Sequence, residues 1–278
     1  MQTFSNKKIL ITGGSSGIGL ALASQLAEQG ASVWILARKE QQLKQALKII
    51  ESHRNSSLQL FGTIQADVAN LETLKPVLNN FVAENGAPDV LINSAGVAHP
   101  GEFIDIEMDI FHWMMDVNYF GTVNVIHLLL PAMLERGQGK IINFSSMAGY
   151  LGVYGYTAYG ASKFAVRGFS DALRAELKPK GITVSIVFPP DTDTPQLAYE
   201  EPFKPPVTHF LSGNAKIMSP EAVASITLRQ AARNRYIITP GFESTLFFTI
   251  SNLLGKGIYR IMDIQVSQAL MRFSSLDE

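Results

Sequence analysis

The sequence predicts an α/β protein with a doubly wound, mostly parallel sheet of seven strands and helices on both faces. Short runs of β-branched residues alternate with longer helical stretches along the 278-residue chain, a pattern typical of parallel sheets covered by helices. Glycines stand at the ends of the helical stretches, where a left-handed residue commonly closes a helix. These glycines are Gly30, Gly86, Gly137 and Gly181.

The strands are predicted, in chain order, at residues 8–11, 32–37, 58–65, 90–92, 140–144, 183–188 and 236–238. The helices between them are predicted at residues 17–29, 40–53, 71–84, 111–135, 158–177 and 220–234. Helices that join consecutive strands act as crossovers, and crossovers make the joined strands parallel. We therefore expect one domain over residues 1–240, followed by an apolar tail at 241–278.

One stretch of the domain, residues 189–218, does not fit the alternation. It carries six prolines, at positions 189, 190, 195, 202, 205 and 206, which are too many for a regular element. A long irregular insertion beside a compact domain is more often a lid or a binding loop than a simple connector. We therefore predict a lid there.

The composition excludes several classes of protein. Hydrophobic residues make up 46% of the chain, which excludes a disordered protein. Charged residues make up 17%, against roughly 25% in typical soluble domains, so we expect part of the surface to be apolar. A formal net charge of -1 gives no overall field that attracts nucleic acid, so no nucleic-acid partner is expected. Because the chain has no cysteine, disulfides, thiolate chemistry and iron–sulfur clusters are excluded.

Other sequence patterns argue against metal-dependent and hydrolytic chemistry. The five histidines have neither metal-ligand spacing nor an HExxH frame, and no Gly-x-Ser-x-Gly elbow is present. The apolar run at residues 9–11 is too short for the core of a signal peptide. We expect no metal, no signal peptide and no transmembrane helix, and a location in the cytoplasm or at the cytoplasmic face of a membrane.

A glycine-rich loop, TGGSSGIG at residues 12–19, joins the first predicted strand to the first predicted helix. In this context the motif predicts dinucleotide binding, because glycines allow a tight turn and let the backbone approach a pyrophosphate at the helix N-terminus. An ordinary strand-to-helix turn is the alternative. The candidate binding residues here are Gly13, Ser15, Ser16, Gly17, Ile18 and Gly19.

The end of the second strand predicts which dinucleotide binds. Enzymes that select NAD usually place a carboxylate there, whereas this chain has Arg38 and Lys39. Two cations suit the 2′-phosphate of NADPH, through charge-assisted hydrogen bonds, unless both are merely solvated residues at a helix start. Asp67, Val68 and Asn93 follow the third and fourth strands, at the strand ends where ligands bind in such sheets.

A candidate catalytic group lies on and before the predicted helix at 158–177. Tyr159 and Lys163 are four residues apart and share a helix face, while Ser145 and Ser146 follow the fifth strand. These residue types suit the reduction of a carbonyl by hydride, in which the oxygen needs a proton and hydrogen-bond support. A phenol has an ordinary pKa of about 10, which Lys163 and an oxidised nicotinamide would bring towards neutrality. Purely structural roles are the alternative.

These residues resemble the short-chain dehydrogenase/reductases over roughly residues 7–238. The resemblance rests on five motifs in order: TGGSSGIG, NSAG at 93–96, VNYFG at 117–121, SSMAG at 145–149 and YGASK at 159–163. It implies a Rossmann-like, NADP-binding catalytic domain, with Asn118, Ser146, Tyr159 and Lys163 as the catalytic tetrad. Lys163 would also hold the nicotinamide ribose, and Asn118 would anchor a water on a proton relay. Such proteins often pair through the helices predicted here at 111–135 and 158–177, so a homo-oligomer is expected.

A finer resemblance comes from the segment after the sixth strand. It reads PPDTDTP at residues 189–195, where Thr194 occupies the position that contacts the nicotinamide amide and Pro190 replaces the usual glycine. Together with YTAYGASKFAVRG and ELKPKGITV, it is similar to the subgroup of 3-ketodihydrosphingosine reductases, which reduce the long-chain keto-lipid 3-ketosphinganine with NADPH. Eukaryotic members begin with a membrane anchor, which we do not expect here. A reductase of another lipid or steroid ketone, and a non-catalytic NADPH-binding protein, are the alternatives.

The residues of the tail, 241–278, predict a helical segment with one apolar face. Residues 246–255 are uncharged, but they are far fewer than the roughly 20 that a membrane-spanning helix needs. Apolar side chains at helical spacing would share one face: Leu246, Phe247, Ile250, Leu253, Leu254, Ile258, Ile261, Met262 and Leu270. We expect either an interfacial segment that makes peripheral membrane contact or packing on the body or on a second subunit.

Overall fold

The computed structural model describes residues 4–213 and 216–274. Residues 1–3 of the predicted domain, 214–215 of the predicted lid and 275–278 of the predicted tail lie outside the described part of the chain. Seven parallel strands form one sheet in the order β3-β2-β1-β4-β5-β6-β7. The strands are β1 (Lys8–Thr12), β2 (Ser32–Ala37), β3 (Phe61–Gln65), β4 (Val90–Asn93), β5 (Gly139–Phe144), β6 (Ile182–Val187) and β7 (Ile237–Ile238). The predicted fold class is confirmed.

Helices cover both faces of the sheet. They are α1 (Gly17–Glu28), α2 (Glu40–Ser52), α3 (Leu71–Asn85), α4 (Met108–Met114), α5 (Gly121–Arg136), α6 (Thr157–Leu177), α7 (Pro195–Glu200), α8 (Pro206–Ser212), α9 (Pro220–Ala232), α10 (Phe242–Leu254) and α11 (Gly257–Ser274). The alternation of side chains along β1 divides the core: Ile9 and Ile11 pack with α1, α2 and α9, whereas Leu10 packs with α3, α5 and α6. The four predicted helix-end glycines all have positive φ.

Two predicted elements differ from the structure. The third strand begins at Phe61 and not at 58, because the Gln59 side chain accepts hydrogen bonds from two backbone N–H groups and donates to two carbonyls, which holds this stretch in a turn. The helix predicted at 111–135 begins at Met108 and passes through a π-helical stretch, Met115–Phe120, between α4 and α5. The other strands agree with prediction to within one residue at each end.

The proline-rich segment forms helices, so the prediction of no regular element there was wrong. Pro195 and Pro206 each open a helix, α7 and α8, and a 3-10 turn at Glu201–Phe203 lies between them. Proline fits the first position of a helix because its missing N–H has no partner there and its fixed φ is already helical. Thr194 caps α7, since its Oγ1 accepts from the Leu197 backbone N–H at 3.3 Å.

The tail consists of the two helices α10 and α11, which meet at Gly255 with φ of 51°. On α10, Ser244 donates to the Phe188 carbonyl at 2.9 Å and the Phe248 ring lies 5.5 Å from the Phe188 ring. On α11, the Arg272 guanidinium lies 5.4 Å from the Phe210 ring of α8. The tail therefore packs on the body through α10 and on α8 through α11.

Part of the tail's predicted apolar face is exposed. Leu253 is 81% exposed, and Leu246, Phe247, Leu254, Ile261 and Leu270 are also exposed; Phe242, which was not part of the prediction, is 79% exposed at the start of α10. Ile258 is instead buried, which ties the start of α11 to the body. Among the described residues, one helical stretch, Met108–Arg136, has the length and composition of a membrane span, and 44% of its apolar window is buried in the protein.

Candidate active site

The C-terminal strand ends open into one cavity of about 540 Å³. It lies where the strand order reverses between β1 and β4, the position at which open α/β sheets bind ligands. Most of the predicted site residues line it: Gly13, Ser15, Ser16, Gly17, Ile18, Gly19, Arg38, Lys39, Asp67, Val68, Ser146, Tyr159, Lys163 and Thr194. Asn93 and Asn118 do not line it; both side chains are buried beneath.

The glycine loop at residues 12–19 makes a cradle that larger residues would fill. Gly13 has φ of 70°, and a Cβ there would lie 2.8 Å from the Ala95 backbone. Gly17 has φ of 52°, and a Cβ there would meet the Thr194 side chain at 3.0 Å. No side chain caps the N-terminus of α1, so its N–H groups and partial positive charge are directed at the cavity. A dinucleotide pyrophosphate fits this cradle.

Two cations mark the far end of the cradle. Arg38 follows β2 directly, Lys39 stands at the N-cap of α2, and both side chains are exposed at the cavity rim. The carboxylate of Asp67, after β3, accepts from the Ala69 backbone N–H at 3.0 Å. The end of β2 therefore presents positive charge to any ligand in the cradle.

Tyr159 and Lys163 lie one turn apart on α6, both buried, with the Lys163 Nζ 5.6 Å from the centre of the phenol ring. Lys163 donates to the Phe144 carbonyl at 3.2 Å. Burial lowers the pKa of Lys163 to about 8, and the negative charge of Glu200 partly opposes that shift. Burial first, and the charge of Glu200 next, raise the pKa of Tyr159, against hydrogen bonds from Ser146 and Gln196.

The direction of the Tyr159 shift differs from the sequence argument. That argument expects a lysine and a bound nicotinamide to bring the phenol pKa down, whereas the protein groups by themselves raise it. The main reason is the burial of the phenol, and the carboxylate of Glu200, on α7, adds to the rise. A raised pKa keeps the phenol protonated at neutral pH, which is the state that can donate a proton.

The two adjacent serines have different environments. The Ser145 hydroxyl is buried and donates to the Lys163 carbonyl at 2.9 Å, which ties β5 to α6. Ser146 caps a short turn, with its Oγ accepting from the Ala148 N–H at 3.2 Å, and its hydroxyl acts to lower the pKa of Tyr159. A Cβ at Gly149 would collide with the Ser145 hydroxyl. Ser146 is thus the serine whose hydroxyl accompanies Tyr159 in the cavity.

Asn118 lies in the π-helical stretch, an irregularity that is frequent at functional sites. Its side chain bonds both backbone groups of Val97 and donates to the Ser162 hydroxyl at 2.9 Å. The neighbouring Gly96 lies close to the Lys163 ammonium: a Cβ added at Gly96 would be only 3.3 Å from the Lys163 Nζ. Asn118 therefore fixes the loop after β4 beside the lysine. Asn93, by contrast, donates to the Asn143 side chain at 2.9 Å, below the cavity floor.

Sequence reasoning missed the lid's contribution to the site. Glu200 of α7 is 6% exposed and lines the cavity with Gln196 and Tyr156. Burial raises the pKa of Glu200, while hydrogen bonds from Gln196 and Tyr156 oppose the rise. The available signal was Thr194 followed by proline, a helix-start pattern that places residues 196 and 200 on one helix face. The tail's Phe247 also lines the cavity.

A dinucleotide cradle beside a phenol, a hydroxyl and a buried lysine at one sheet edge defines a nicotinamide-dependent oxidoreductase. The chain belongs to the short chain dehydrogenase family, whose model matches residues 7–204. A short-chain dehydrogenase from Sphingobium yanoikuyae, solved in complex with NADPH, shares the fold with a TM-score of 0.76 at 24% identity, covering 91% of this chain and 94% of that chain.

Two similar proteins carry names that refer to a particular ketone reductase activity. The chain is 36% identical over 244 residues to 3-ketodihydrosphingosine reductase of Bos taurus, which spans 87% of this chain and 74% of the relative. It is 39% identical over 229 residues to 3-dehydrosphinganine reductase of Danio rerio, which spans 82% of this chain and 69% of the relative. The resemblance to this subgroup, inferred from PPDTDTP and its neighbouring motifs, is confirmed.

Proposed function

We propose that the protein reduces the 3-keto group of 3-ketosphinganine to the alcohol of sphinganine, with NADPH, in sphingolipid synthesis. The observation that carries the proposal is the meeting of the Tyr159 phenol and the Ser146 hydroxyl in the cavity that also holds the glycine cradle. The similarity to reductases named for this substrate supports the choice of ketone.

The choice of NADPH is supported by the charge at the rim. Arg38 and Lys39 line the cavity directly after β2, and the position at which a carboxylate would receive two ribose hydroxyls is occupied by Arg38. Arg38 suits a forked, charge-assisted contact with a phosphate, and Lys39 adds a point charge. Thr194, Lys163 and the loop at residues 12–19 would hold the rest of the cofactor.

The reduction adds a hydride to the carbonyl carbon and a proton to the oxygen, and bound NADPH supplies the hydride. Tyr159 holds the proton on its phenol oxygen, since its raised pKa keeps that oxygen protonated. Ser146 orients the substrate oxygen against the phenol. Lys163, which is mostly charged at neutral pH because its pKa is about 8, stabilises negative charge as it develops on the phenol after the proton leaves.

The tail supports peripheral contact with a membrane. Its outward apolar side chains include Phe242 and Leu253, and the neighbouring Phe247 reaches the cavity wall. A long-chain ketone resides in a bilayer, so a surface that enters the lipid interface beside the cavity shortens the substrate's path.

Pairing of two copies is a separate part of the proposal, supported by the exposed Phe120 and Phe164 on the helices through which relatives pair.

The proposal is tested by following NADPH oxidation by the purified chain with detergent-dispersed 3-ketosphinganine. Parallel assays use NADH and a short-chain ketone, and Tyr159→Phe serves as the inactive control. Selective turnover of 3-ketosphinganine with NADPH is the expected result. Turnover of a steroid or prostanoid ketone in its place would move the substrate class, and NADPH binding without turnover of any ketone would indicate a non-catalytic protein.

A further inference from the structure

The lid presents a buried carboxylate to the cavity. Glu200 lines the cavity wall, accepts hydrogen bonds from the Tyr156 phenol at 2.7 Å and from the Gln196 amide at 2.9 Å, and is 6% exposed. Both partners are neutral, and no ion pair within residues 4–213 and 216–274 includes Glu200. Lys204 lines the same cavity and its charge lowers the pKa of Glu200, but its ammonium pairs with the neighbouring Glu201 at 2.8 Å. A buried charge without a charged partner is costly unless a ligand supplies one.

The carboxylate lies close to the reacting end of the cavity. Gln196 hydrogen bonds to Glu200, lines the same cavity as Tyr159 and acts to lower the pKa of the Tyr159 phenol, which places the carboxylate near the proton donor. The rings of Tyr156 and Tyr159 are 5.8 Å apart. The negative charge of Glu200 also influences the pKa of both Tyr159 and Lys163, which agrees with that short separation.

We propose that Glu200 binds the ammonium group that a long-chain α-amino ketone carries on the carbon next to its carbonyl. The inference rests on the proposed function, because 3-ketosphinganine is such an amino ketone. When the carbonyl oxygen lies at Tyr159 and Ser146, the ammonium is attached to the carbon next to the carbonyl. That short separation is comparable with the gap between the phenol and the Glu200 carboxylate in which the Gln196 amide lies. An ammonium donates charge-assisted hydrogen bonds to a carboxylate and would give Glu200 the directly bonded cation that it lacks among the described residues.

Glu200 would then decide specificity, favouring amino ketones over simple lipid ketones. A purely structural role predicts something different. If Glu200 only positions Tyr156 and Gln196, its loss would slow the reduction of every ketone alike. The contrast between two substrates that differ only in the amino group separates the two roles, because effects on the phenol and on the lysine apply to both substrates.

The experiment compares kcat/KM for 3-ketosphinganine and for the same hydroxyketone without the amino group, in the wild-type protein and in Glu200→Gln. We expect the variant to lose about 10- to 100-fold more with the amino ketone, the range typical of a buried hydrogen bond to a charged group. Glu200→Asp, which keeps the charge, should retain part of the preference. Glu201→Gln, at an adjacent exposed carboxylate, should leave the ratio unchanged.

An equal loss with both substrates in Glu200→Gln would overturn the assignment and leave a positioning role. The wild-type protein gives an independent measurement should the variant fail to fold, because it should itself prefer the amino ketone by a similar factor; equal kcat/KM values would overturn the assignment. Failure of the wild type to reduce either compound would instead overturn the proposed function, and with it this inference.

Discussion

Asn118 pairs with both backbone groups of Val97: its Oδ1 accepts from the Val97 N–H at 2.8 Å, and its Nδ2 donates to the Val97 carbonyl at 2.9 Å. The pairing joins the π-helical stretch to the loop after β4. It also accounts for the burial of an amide at this place, because every polar atom of the side chain has a partner.

Replacement of Asn118 by alanine should therefore destabilise the protein by about 1–3 kcal/mol, since it leaves the two half-buried backbone groups of Val97 without their side-chain partner. Urea unfolding measures the difference. Asn124→Ala is the matched control, because Asn124 makes one bond, to the Val68 carbonyl, in a half-buried position. Equal stability of the two variants would contradict a structural role for the Val97 pairing.

Tyr159→Phe should lower turnover by about 10²- to 10⁴-fold, the usual contribution of a general acid. NADPH binding, measured by fluorescence titration, should stay close to wild type because the ring remains in place. Tyr154→Phe, which removes an exposed hydroxyl bonded to Glu102, should keep full activity. A Tyr159 variant with substantial turnover would show that another group donates the proton.

Arg38→Ala should raise the KM for NADPH by about 10- to 100-fold and leave the KM for NADH nearly unchanged, because only NADPH carries the phosphate that the guanidinium would bind. Steady-state kinetics with each cofactor measures the effect. Arg233→Ala removes an exposed positive charge at the end of α9 and should alter neither value. A parallel rise for both cofactors would place Arg38 away from the 2′-phosphate.

The buried Lys163 should make stability depend on pH. Its pKa is about 8 in the folded protein against 10.5 ordinarily, so between these values the unfolded state binds more protons and the free energy of unfolding rises with pH. Compared with Lys163→Met, the wild type should gain about 2 kcal/mol between about pH 7.5 and about pH 9.5. Urea unfolding of both proteins at each pH measures it, and parallel pH profiles would refute the shift.

Substitution of the exposed tail residues should reduce membrane binding. Phe242→Glu combined with Leu253→Glu removes two side chains that are 79% and 81% exposed. We expect the apparent binding constant for anionic liposomes, measured by co-sedimentation, to fall by about 10- to 100-fold. Leu58→Glu, at an equally exposed leucine before β3, should bind like the wild type. A wild-type protein that ignores liposomes but forms a dimer disrupted by the tail variant would assign this face to a second copy.

The sheet, the cradle and the phenol–lysine pair could be predicted because each depends on local sequence. The TGGSSGIG loop specifies its turn within eight residues, and Tyr159 and Lys163 share a helix face whatever surrounds them. Glu200 could not be found in this way. Its importance comes from contacts with Tyr156, 44 residues earlier, and from burial that depends on how the lid packs.

The helices of the proline-rich segment, residues 189–218, were missed because the effect of proline depends on its position. Prolines were counted as helix breakers, although their effect depends on position: Pro195 and Pro206 stand at helix starts, where proline is favourable. The beginning of β3 was misplaced because the Gln59 side chain takes up backbone hydrogen bonds that a strand would otherwise make. In both cases local propensity was outweighed by a specific partner.

The packing of α11 on α8 makes the last helix a support for the binding cavity. One side of α8 contributes Thr208, Leu211 and Ser212 to the cavity wall, while its Phe210 ring receives Arg272 from α11. The helices of residues 189–218 and the tail therefore pack together as one structural unit. A chimera of two relatives should exchange both pieces together, since a foreign tail behind the native residues 189–218 would reshape the cavity wall that α8 contributes.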